Sequence, residues 1–252
     1  MTILSVSALS KSFGGIRAVA DVSFQVNAGE MLALIGPNGA GKSTCFNMLN
    51  GQIPPDAGRI TLNARDITGL SPRRIARLGV GRTFQITATF VSMTVRENVQ
   101  TALLAHHGQT WRFLRPAAAW FAPEADELLV QVGMQDQANR AAGVLAYGDV
   151  KRLELAVALA NDPTLLLMDE PTAGMAPSER VALMQRARGL ASDRGLAILF
   201  TEHDMDVVFN VADRILVLNR GELIAEGDGP AIRADPRVRE VYLGSGATSG
   251  GH

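Results

Sequence analysis

The fold of this chain is decided by the stretch Gly36-Pro37-Asn38-Gly39-Ala40-Gly41-Lys42-Ser43-Thr44. It matches the phosphate-binding pattern G-x-x-x-x-G-K-[ST], and it lies between an apolar run at 31–35 and a predicted helix. The glycines allow backbone N–H groups to turn inward around phosphates, and the helix N-terminus adds partial positive charge. We therefore predict that Lys42 contacts the β- and γ-phosphates of a bound nucleotide and that Ser43 is a ligand of Mg²⁺.

Two acids follow a second apolar run, in the sequence Leu165-Leu166-Leu167-Met168-Asp169-Glu170. If this run is a parallel strand, its carboxyl end places both carboxylates beside the phosphate-binding loop. Asp169 is then a candidate Mg²⁺ ligand, and Glu170 is a candidate catalytic base for the attacking water. An acidic pair after a strand is more often a solvated surface or a helix cap, but the loop upstream favours the catalytic interpretation.

The wider hydrophobic pattern predicts an α/β fold. Short apolar runs at 165–168, 196–200 and 215–218 are typical of buried parallel strands, and a helix is predicted from Pro177 to just before Gly195. We expect a P-loop NTPase core with a small N-terminal antiparallel β portion, in which Val22, Phe24 and Val26 alternate along one strand.

One domain is expected over residues 3–244, with its core at about 3–90 and 161–244. Residues 91–160 are predicted to form an inserted helical subdomain, because the sequence from about 94 onward is mainly helical in pattern. Pro116 and Pro123 interrupt this pattern. Residues 245–252 are small and polar, and they are predicted to be a flexible tail.

Composition excludes several classes of protein. The 24 Lys and Arg residues balance 25 Asp and Glu, so no overall basic field indicates a nucleic-acid partner. Cys45 is the only cysteine, which excludes an internal disulfide and a cysteine-rich metal site. The sequence has neither a secretory leader pattern nor 18 consecutive apolar residues, so the chain is expected neither to be secreted nor to span a membrane by itself.

Three further features accompany the phosphate-binding motifs: Gln85 within Gly81-Arg82-Thr83-Phe84-Gln85, the segment Leu145-Ala146-Tyr147-Gly148, and His203 after an apolar run. Together they resemble the nucleotide-binding domain of ABC transporters over about residues 3–244. The resemblance implies that the cofactors are ATP and Mg²⁺. It implies that Gln85 contacts the metal and the attacking water, and that His203 hydrogen-bonds the γ-phosphate.

The resemblance also assigns the adenine contact and a composite site. Phe13 lies where the family places an aromatic ring against adenine, although a core phenylalanine is the alternative. The segment 145–148, here called the signature segment, corresponds to Leu-Ser-Gly-Gly and caps ATP held by the opposite subunit of a head-to-tail dimer. The resemblance therefore makes Ala146, Tyr147 and Gly148 ATP-contacting residues.

This chain departs from the family pattern at three positions. Ala146 replaces the signature serine, so contact with the γ-phosphate falls to Gly148 and neighbouring amides. Asp149 replaces a glutamine, and we expect its carboxylate to turn outward and cap the first amides of its helix. Ala176 stands where the family has an aspartate, which puts cross-dimer signalling through that residue in doubt.

Four features occur together: the segments 81–85 and 145–148, Ala173-Gly174-Met175, and the ending Ile232…Asp235-Pro236…Tyr242-Leu243-Gly244. Within the family, this combination resembles the ATPases of branched-chain amino acid importers. This implies that the chain couples ATP-driven dimer closure to import of these or related small polar solutes. The implied partners are a second ATPase subunit, transmembrane permease subunits and, indirectly, an external solute-binding protein. The implied location is the cytoplasmic face of the inner membrane. The alternatives are an exporter ATPase for lipid or polysaccharide, a soluble ABC ATPase without a transport role, and a regulatory subunit with weakened catalysis.

Aromatic and large apolar side chains are concentrated in the predicted helical insertion. We expect these side chains to contact a membrane subunit, or alternatively to pack in the helical subdomain's own core or anchor a long loop. The side chains are Trp111, Phe113, Leu114, Trp120 and Phe121.

Overall fold

The computed structural model of the protein describes residues 1–83, 89–108 and 120–243. Strands and helices alternate along most of these ranges. The strands are β1 (Thr2–Phe13), β2 (Ile16–Asn27), β3 (Met31–Ile35), β4 (Ala57–Leu62), β5 (Arg65–Asp66), β6 (Val80–Thr83), β7 (Leu165–Asp169), β8 (Ala197–Thr201), β9 (Arg214–Asn219) and β10 (Glu222–Gly227). The α-helices are α1 (Lys42–Leu49), α2 (Pro72–Arg77), α3 (Val95–His106), α4 (Ala122–Val132), α5 (Tyr147–Leu159), α6 (Pro177–Arg194), α7 (Met205–Val211), α8 (Gly229–Ala234) and α9 (Pro236–Leu243).

A six-stranded sheet in the order β10-β9-β3-β8-β7-β6 forms the centre of the molecule. Its strands are parallel except for β10, which pairs antiparallel with β9. All residues of β3, β7 and β8 are buried, because layers cover both faces of the sheet. The α/β prediction is confirmed, and the three apolar runs lie in β7, β8 and β9.

A second sheet, in the order β2-β1-β4-β5, covers one face of the central sheet. Its pairings are antiparallel, as predicted for the N-terminal portion. Val22, Phe24 and Val26 all point inward from β2. They join one hydrophobic core with Leu32 and Leu34 of β3 and with the buried face of α1.

Helices cover the opposite face of the central sheet. Met31, Ala33 and Ile35 of β3 point to this side, since successive side chains of a strand alternate between faces. The core there includes residues of α3 to α7. Helices α3, α4 and α5 pack against one another within the segment predicted to be the helical subdomain, whose limits at 91 and 160 stay a prediction.

Helix α6 has the limits that its sequence predicts. Pro177 occupies its first turn, where a missing N–H costs nothing, and Gly195 follows its last residue with φ 65°. Its buried residues include Leu183, Met184 and Ala187, which join the core on the helical face of the sheet.

Cys45 and Phe121 both pack against the hydrophobic core of the molecule. Cys45 is fully buried in α1, and burial raises the pKa of its thiol to about 12. Phe121 stacks on His107 with ring centroids 4.7 Å apart, and it packs against the core on the helical face of the sheet. The ring of Phe121 therefore belongs to the molecule's own packing. Trp111, Phe113 and Leu114 lie outside the described residues.

Within the ranges 1–83, 89–108 and 120–243, no helix combines the length and the apolar character needed to cross a membrane.

Candidate active site

The phosphate-binding loop leaves the carboxyl end of β3, and two of its glycines are required by sterics. Gly36 has φ 153°, and a Cβ there would lie 2.2 Å from the backbone oxygen of Leu218 on β9. Gly41 has φ 104°, and a Cβ there would lie 2.3 Å from the backbone oxygen of Ala18. Because these neighbours are backbone atoms, they cannot move aside as a flexible side chain would. The loop therefore packs closely against the backbone of β9 at Gly36 and against the backbone of β2 at Gly41.

Lys42, the first residue of α1, folds back over the loop. Its ammonium donates to the carbonyl oxygens of Gly36 at 2.7 Å and Pro37 at 3.1 Å. Burial lowers the pKa of Lys42, and the nearby carboxylates of Glu170 and Asp169 oppose this effect. Lys42 and Glu170 line the same cavity, and Asp169 directly precedes Glu170, so the predicted lysine and both predicted acids lie in one site.

Asp169 ends β7 with a buried side chain that is 5% exposed. One carboxylate oxygen accepts from the Thr201 hydroxyl at 2.7 Å, and the other lies 3.4 Å from the Arg82 guanidinium. Arg82 also donates to Asn47 of α1 at 3.3 Å. The carboxylate is therefore fixed between β6 and β8, the two strands that flank β7.

Glu170 and His203 form a direct pair. Oε1 of Glu170 and Nε2 of His203 lie 2.8 Å apart, at hydrogen-bond distance. Glu170 has φ 48°, a left-handed conformation that is uncommon for a residue with a side chain. Its backbone N–H donates to the hydroxyl oxygen of Thr201 at 3.0 Å and to the carbonyl oxygen at 3.2 Å. Thr201 thus holds both acids of the pair that follows β7.

A cavity of about 200 Å³ lies between the loop and Glu170. Ala18 of β2, residues 38–44 and Glu170 line it, so Ser43 and Thr44 face the same space as the predicted base. Phe13, at the end of β1, is 48% exposed, with the Lys11 ammonium 5.6 Å from its ring centroid. The alternative that Phe13 is a core residue is therefore wrong.

The signature segment lies at the start of α5. Ala146 is the residue preceding the helix, and Tyr147 is half exposed. Gly148 is buried against α6, and a Cβ there would lie 2.8 Å from the Glu179 carboxylate. This places the segment among the helices, whereas the described lining of the 200 Å³ cavity comes from β2, the loop, α1 and Glu170.

Asp149 lies in the first turn of α5, and the expected capping bond is wrong. Its carboxylate accepts from Gln137 at 2.8 Å and from Arg152 at 3.3 Å, instead of from the first amides of the helix. Gln137 precedes α5 in the chain, and Arg152 lies one turn after Asp149 within α5. Ala176 precedes α6 as predicted from the sequence, with its N–H donating to Glu179 at 3.4 Å.

Sequence motifs identified the loop and the acids but missed several supporting residues. Thr201 and Arg82 hold Asp169; Thr201 directly follows the apolar run at 196–200, whereas no pattern in the sequence indicated the contact of Arg82. Tyr242 of α9 hydrogen-bonds to the backbone of Gly36, and burial raises the pKa of its hydroxyl to about 12. No pattern in the sequence indicated that contact. The predicted contact residue Gln85 lies outside the described residues.

Comparisons with known proteins agree with this geometry. The family model described as ABC transporter matches residues 19–173, and the model described as branched-chain amino acid ATP-binding cassette transporter matches residues 222–248. The chain is 41% identical over 252 residues to the high-affinity branched-chain amino acid transport ATP-binding protein LivG of Salmonella typhimurium. That alignment covers 96% of this chain and 98% of LivG.

Solved structures give the same result. An ATP-binding cassette of an ABC transporter in its ADP conformation has a TM-score of 0.86 and 33% identity, covering 97% of this chain and 99% of that one. A dimeric cassette in a post-hydrolysis state, bound to ADP and Pi, has a TM-score of 0.75 and 25% identity, covering 90% and 98%. The match over most of the chain, together with the loop, the acid pair and His203, leads to one conclusion: the chain belongs to the ABC transporter family.

Proposed function

We propose that this chain binds Mg²⁺-ATP through residues 36–44 and hydrolyses it to power import of branched-chain amino acids or related small polar solutes. The observation that carries the hydrolytic part is the 2.8 Å pair of Glu170 and His203 beside the cavity lined by the loop. The cargo assignment is supported by LivG and by the family model that matches residues 222–248.

The phosphate contacts in this proposal come from the loop and the start of α1. Gly36, Gly39 and Gly41 have positive φ, so backbone amides can turn toward a phosphate chain without Cβ interference. Pro37, Asn38, Ala40 and Thr44 complete the proposed nucleotide-binding stretch, in which Pro37 has no N–H and so donates no hydrogen bond. Lys42 exchanges its two carbonyl contacts for the β- and γ-phosphates. Phe13, half exposed on β1, supplies an apolar surface for adenine.

Glu170 orients and deprotonates the attacking water, and His203 exchanges its contact with the Glu170 carboxylate for a hydrogen bond to the γ-phosphate. The pair already lies at hydrogen-bond distance, so the base needs little reorganisation before reaction. Gln85 is proposed as a further contact to the water and the metal.

The residues around the loop fit Mg²⁺, which prefers oxygen ligands and retains several waters. Ser43 provides a hydroxyl at the start of α1, and Asp169 provides a buried carboxylate held by Thr201. These two, with Gln85, are the proposed protein ligands. When bound, the ion neutralises charge on the β- and γ-phosphates.

We propose a head-to-tail dimer with a second ATPase subunit, because the signature segment lies away from the chain's own cavity. Tyr147 is half exposed, and Ala146 precedes a helix whose N-terminus favours an anion. In this dimer, Ala146, Tyr147 and Gly148 contact ATP bound to the other subunit. The dimeric cassette bound to ADP and Pi supports the dimer part of this proposal.

An exposed apolar cluster supports a permease partner at the cytoplasmic face of the inner membrane. Phe90, Val91 and Val144 are between 53% and 64% exposed, and the Gly143 N–H donates to Val91 at 3.0 Å, joining the two segments. Large apolar side chains grouped on a surface are typical of protein interfaces. An external solute-binding protein would deliver the solute to the permease. We propose residues 91–160 as the subdomain that transmits dimer closure to it.

The first test compares phosphate release from Mg²⁺-ATP by the wild type and by Glu170→Gln, with size-exclusion chromatography of the same samples. We expect hydrolysis to fall at least about a hundredfold, as for loss of a general base, while ATP still binds and a dimer accumulates. Glu222→Gln, an exposed glutamate on β10, is the matched control and should retain activity. Failure of the wild type to bind ATP would contradict the proposal.

The cargo is tested separately in membrane vesicles that contain the complete transporter. We expect ATP-driven uptake of labelled leucine with the wild type and none with Glu170→Gln. Export of lipid or polysaccharide without leucine uptake would favour the exporter alternative instead.

A further inference from the structure

Two loops at the carboxyl edge of the central sheet are joined through a buried carboxylate. Glu202 is 5% exposed and Thr172 is 1% exposed. One oxygen of Glu202 accepts from the Thr172 N–H at 3.0 Å and from its hydroxyl at 2.6 Å. The other oxygen accepts from the N–H of His203 at 3.3 Å. A single side chain thus connects the loop that follows Glu170 to the residue that pairs with Glu170.

A second set of contacts, made by Arg180, joins the same two loops. Arg180 of α6 donates through Nε to the carbonyl oxygen of Met175 at 2.8 Å. Its guanidinium also pairs with the Asp204 carboxylate at 3.0 Å. Asp204 in turn accepts from the N–H groups of Asp206 and Val207 and so caps α7. Arg180 therefore holds loop 171–176 against the start of α7.

We propose that Thr172, Arg180, Glu202 and Asp204 act as positioning residues, here called the brace, which makes loop 171–176 and His203 move as one unit. The proposal rests on the ATPase function proposed above and adds a mechanical link to it. None of the four residues belongs to the described lining of the 200 Å³ cavity; they act through His203 and its contact with Glu170.

Burial explains why the link is stiff. Moving loop 171–176 without His203 would strip Glu202 of two donors in a place that water does not reach. Moving both loops together keeps all of these bonds. The loop begins at the residue after Glu170 and ends at the start of α6, so any force on it reaches the pair of Glu170 and His203 directly. The brace thus sets the distance between base and histidine.

The test uses Glu202→Gln, Thr172→Val and Arg180→Lys. Glutamine at Glu202 replaces one acceptor oxygen with an NH₂ group, and valine at Thr172 removes the hydroxyl donor. Lysine at Arg180 keeps the positive charge but lacks the planar guanidinium that contacts both Met175 and Asp204. We expect each variant to lower kcat at least tenfold with KM for ATP changed less than twofold. The double variant Thr172→Val/Glu202→Gln should lose no more than the worse single variant, because both remove one link. Arg186→Lys, on the exposed face of the same helix, is the control.

A second readout does not depend on hydrolysis. Hydrogen–deuterium exchange of residues 202–207 should rise severalfold in Thr172→Val and Arg180→Lys, although both changes lie in other parts of the chain. Wild-type kcat together with unchanged exchange in these variants would overturn the brace while leaving the ATPase proposal intact. Absence of ATP hydrolysis by the wild type would overturn the ATPase proposal. The exchange of residues 202–207 would then still test the brace, because a rise in the variants supports it and unchanged exchange overturns it.

Discussion

At the scale of the residue, burial decides how much an ion pair contributes. Arg82 with Asp169 and Arg59 with Asp66 are separated by the same 3.4 Å. The first pair has side chains 15% and 5% exposed, and the second has side chains 70% and 53% exposed. Water screens the exposed pair, whereas removal of one buried partner leaves the other uncompensated. The two pairs therefore form a matched comparison within one molecule.

We predict that Arg82→Met lowers the free energy of unfolding by about 2–3 kcal/mol, because Asp169 loses a charged partner in a buried site. The loss is limited because Nε of Arg82 is buried without a partner among the described residues, and methionine removes that atom. Arg59→Met should cost less than about 1 kcal/mol. Urea denaturation of both variants measures the difference, and equal losses would contradict the role of burial.

At the scale of the element, the loop between β3 and α1 contains glycines with different requirements. Gly36 faces a backbone oxygen 2.2 Å from the position of an added Cβ. Gly39 has φ 79° but no atom within 4 Å of that position. An alanine at Gly36 must displace the loop from β9, whereas an alanine at Gly39 meets only backbone strain of about 1 kcal/mol.

We therefore predict that Gly36→Ala weakens ATP binding at least tenfold, since the loop must shift before its amides can surround phosphates. Gly39→Ala should weaken it by a smaller factor and should preserve the fold. Titration with a fluorescent ATP analogue measures both affinities, and circular dichroism checks folding. A larger effect at Gly39 than at Gly36 would show that steric contact with β9 does not position the loop.

The elements themselves differ in how well the sequence predicts them. The run at 165–168 becomes β7 with one added residue, because a strand buried on both faces must be continuously apolar. Pro177 and Gly195 delimit α6 through their own backbone preferences. The 12-residue lengths of β1 and β2 were not predictable, because their pairing includes register shifts that depend on the partner strand.

At the scale of the whole molecule, strand order determines which side chains meet. Arg82 and Asp169 are 87 residues apart, and Thr201 and Asp169 are 32 apart, yet β7 lies directly between β6 and β8. Local motifs predict the loop and the acid pair, and the family resemblance adds His203. The contacts that support them are set by the order of strands, which local sequence patterns do not specify.

In the proposed dimer, the Asp149 carboxylate follows the signature segment that contacts ATP of the opposite subunit. Asp149 is therefore the residue to test. In the isolated chain its carboxylate is 18% exposed and is bound by Gln137 and Arg152. The Arg152 guanidinium partly neutralises the charge, and both partners are side chains instead of the first amides of α5. A carboxylate held in this way should repel the γ-phosphate of the opposite subunit only weakly.

We predict that Asp149→Gln, in a Glu170→Gln background that retains ATP, changes the ATP-driven dimerisation constant less than about tenfold, or about 1.4 kcal/mol. Ala146→Ser should tighten the dimer by several-fold, because its hydroxyl adds a hydrogen bond to phosphate at the start of α5. Sedimentation analysis across ATP concentrations measures both constants. Tightening of more than tenfold in Asp149→Gln would mean that the carboxylate turns toward the partner's ATP when the dimer closes, and that the contacts with Gln137 and Arg152 break in that step.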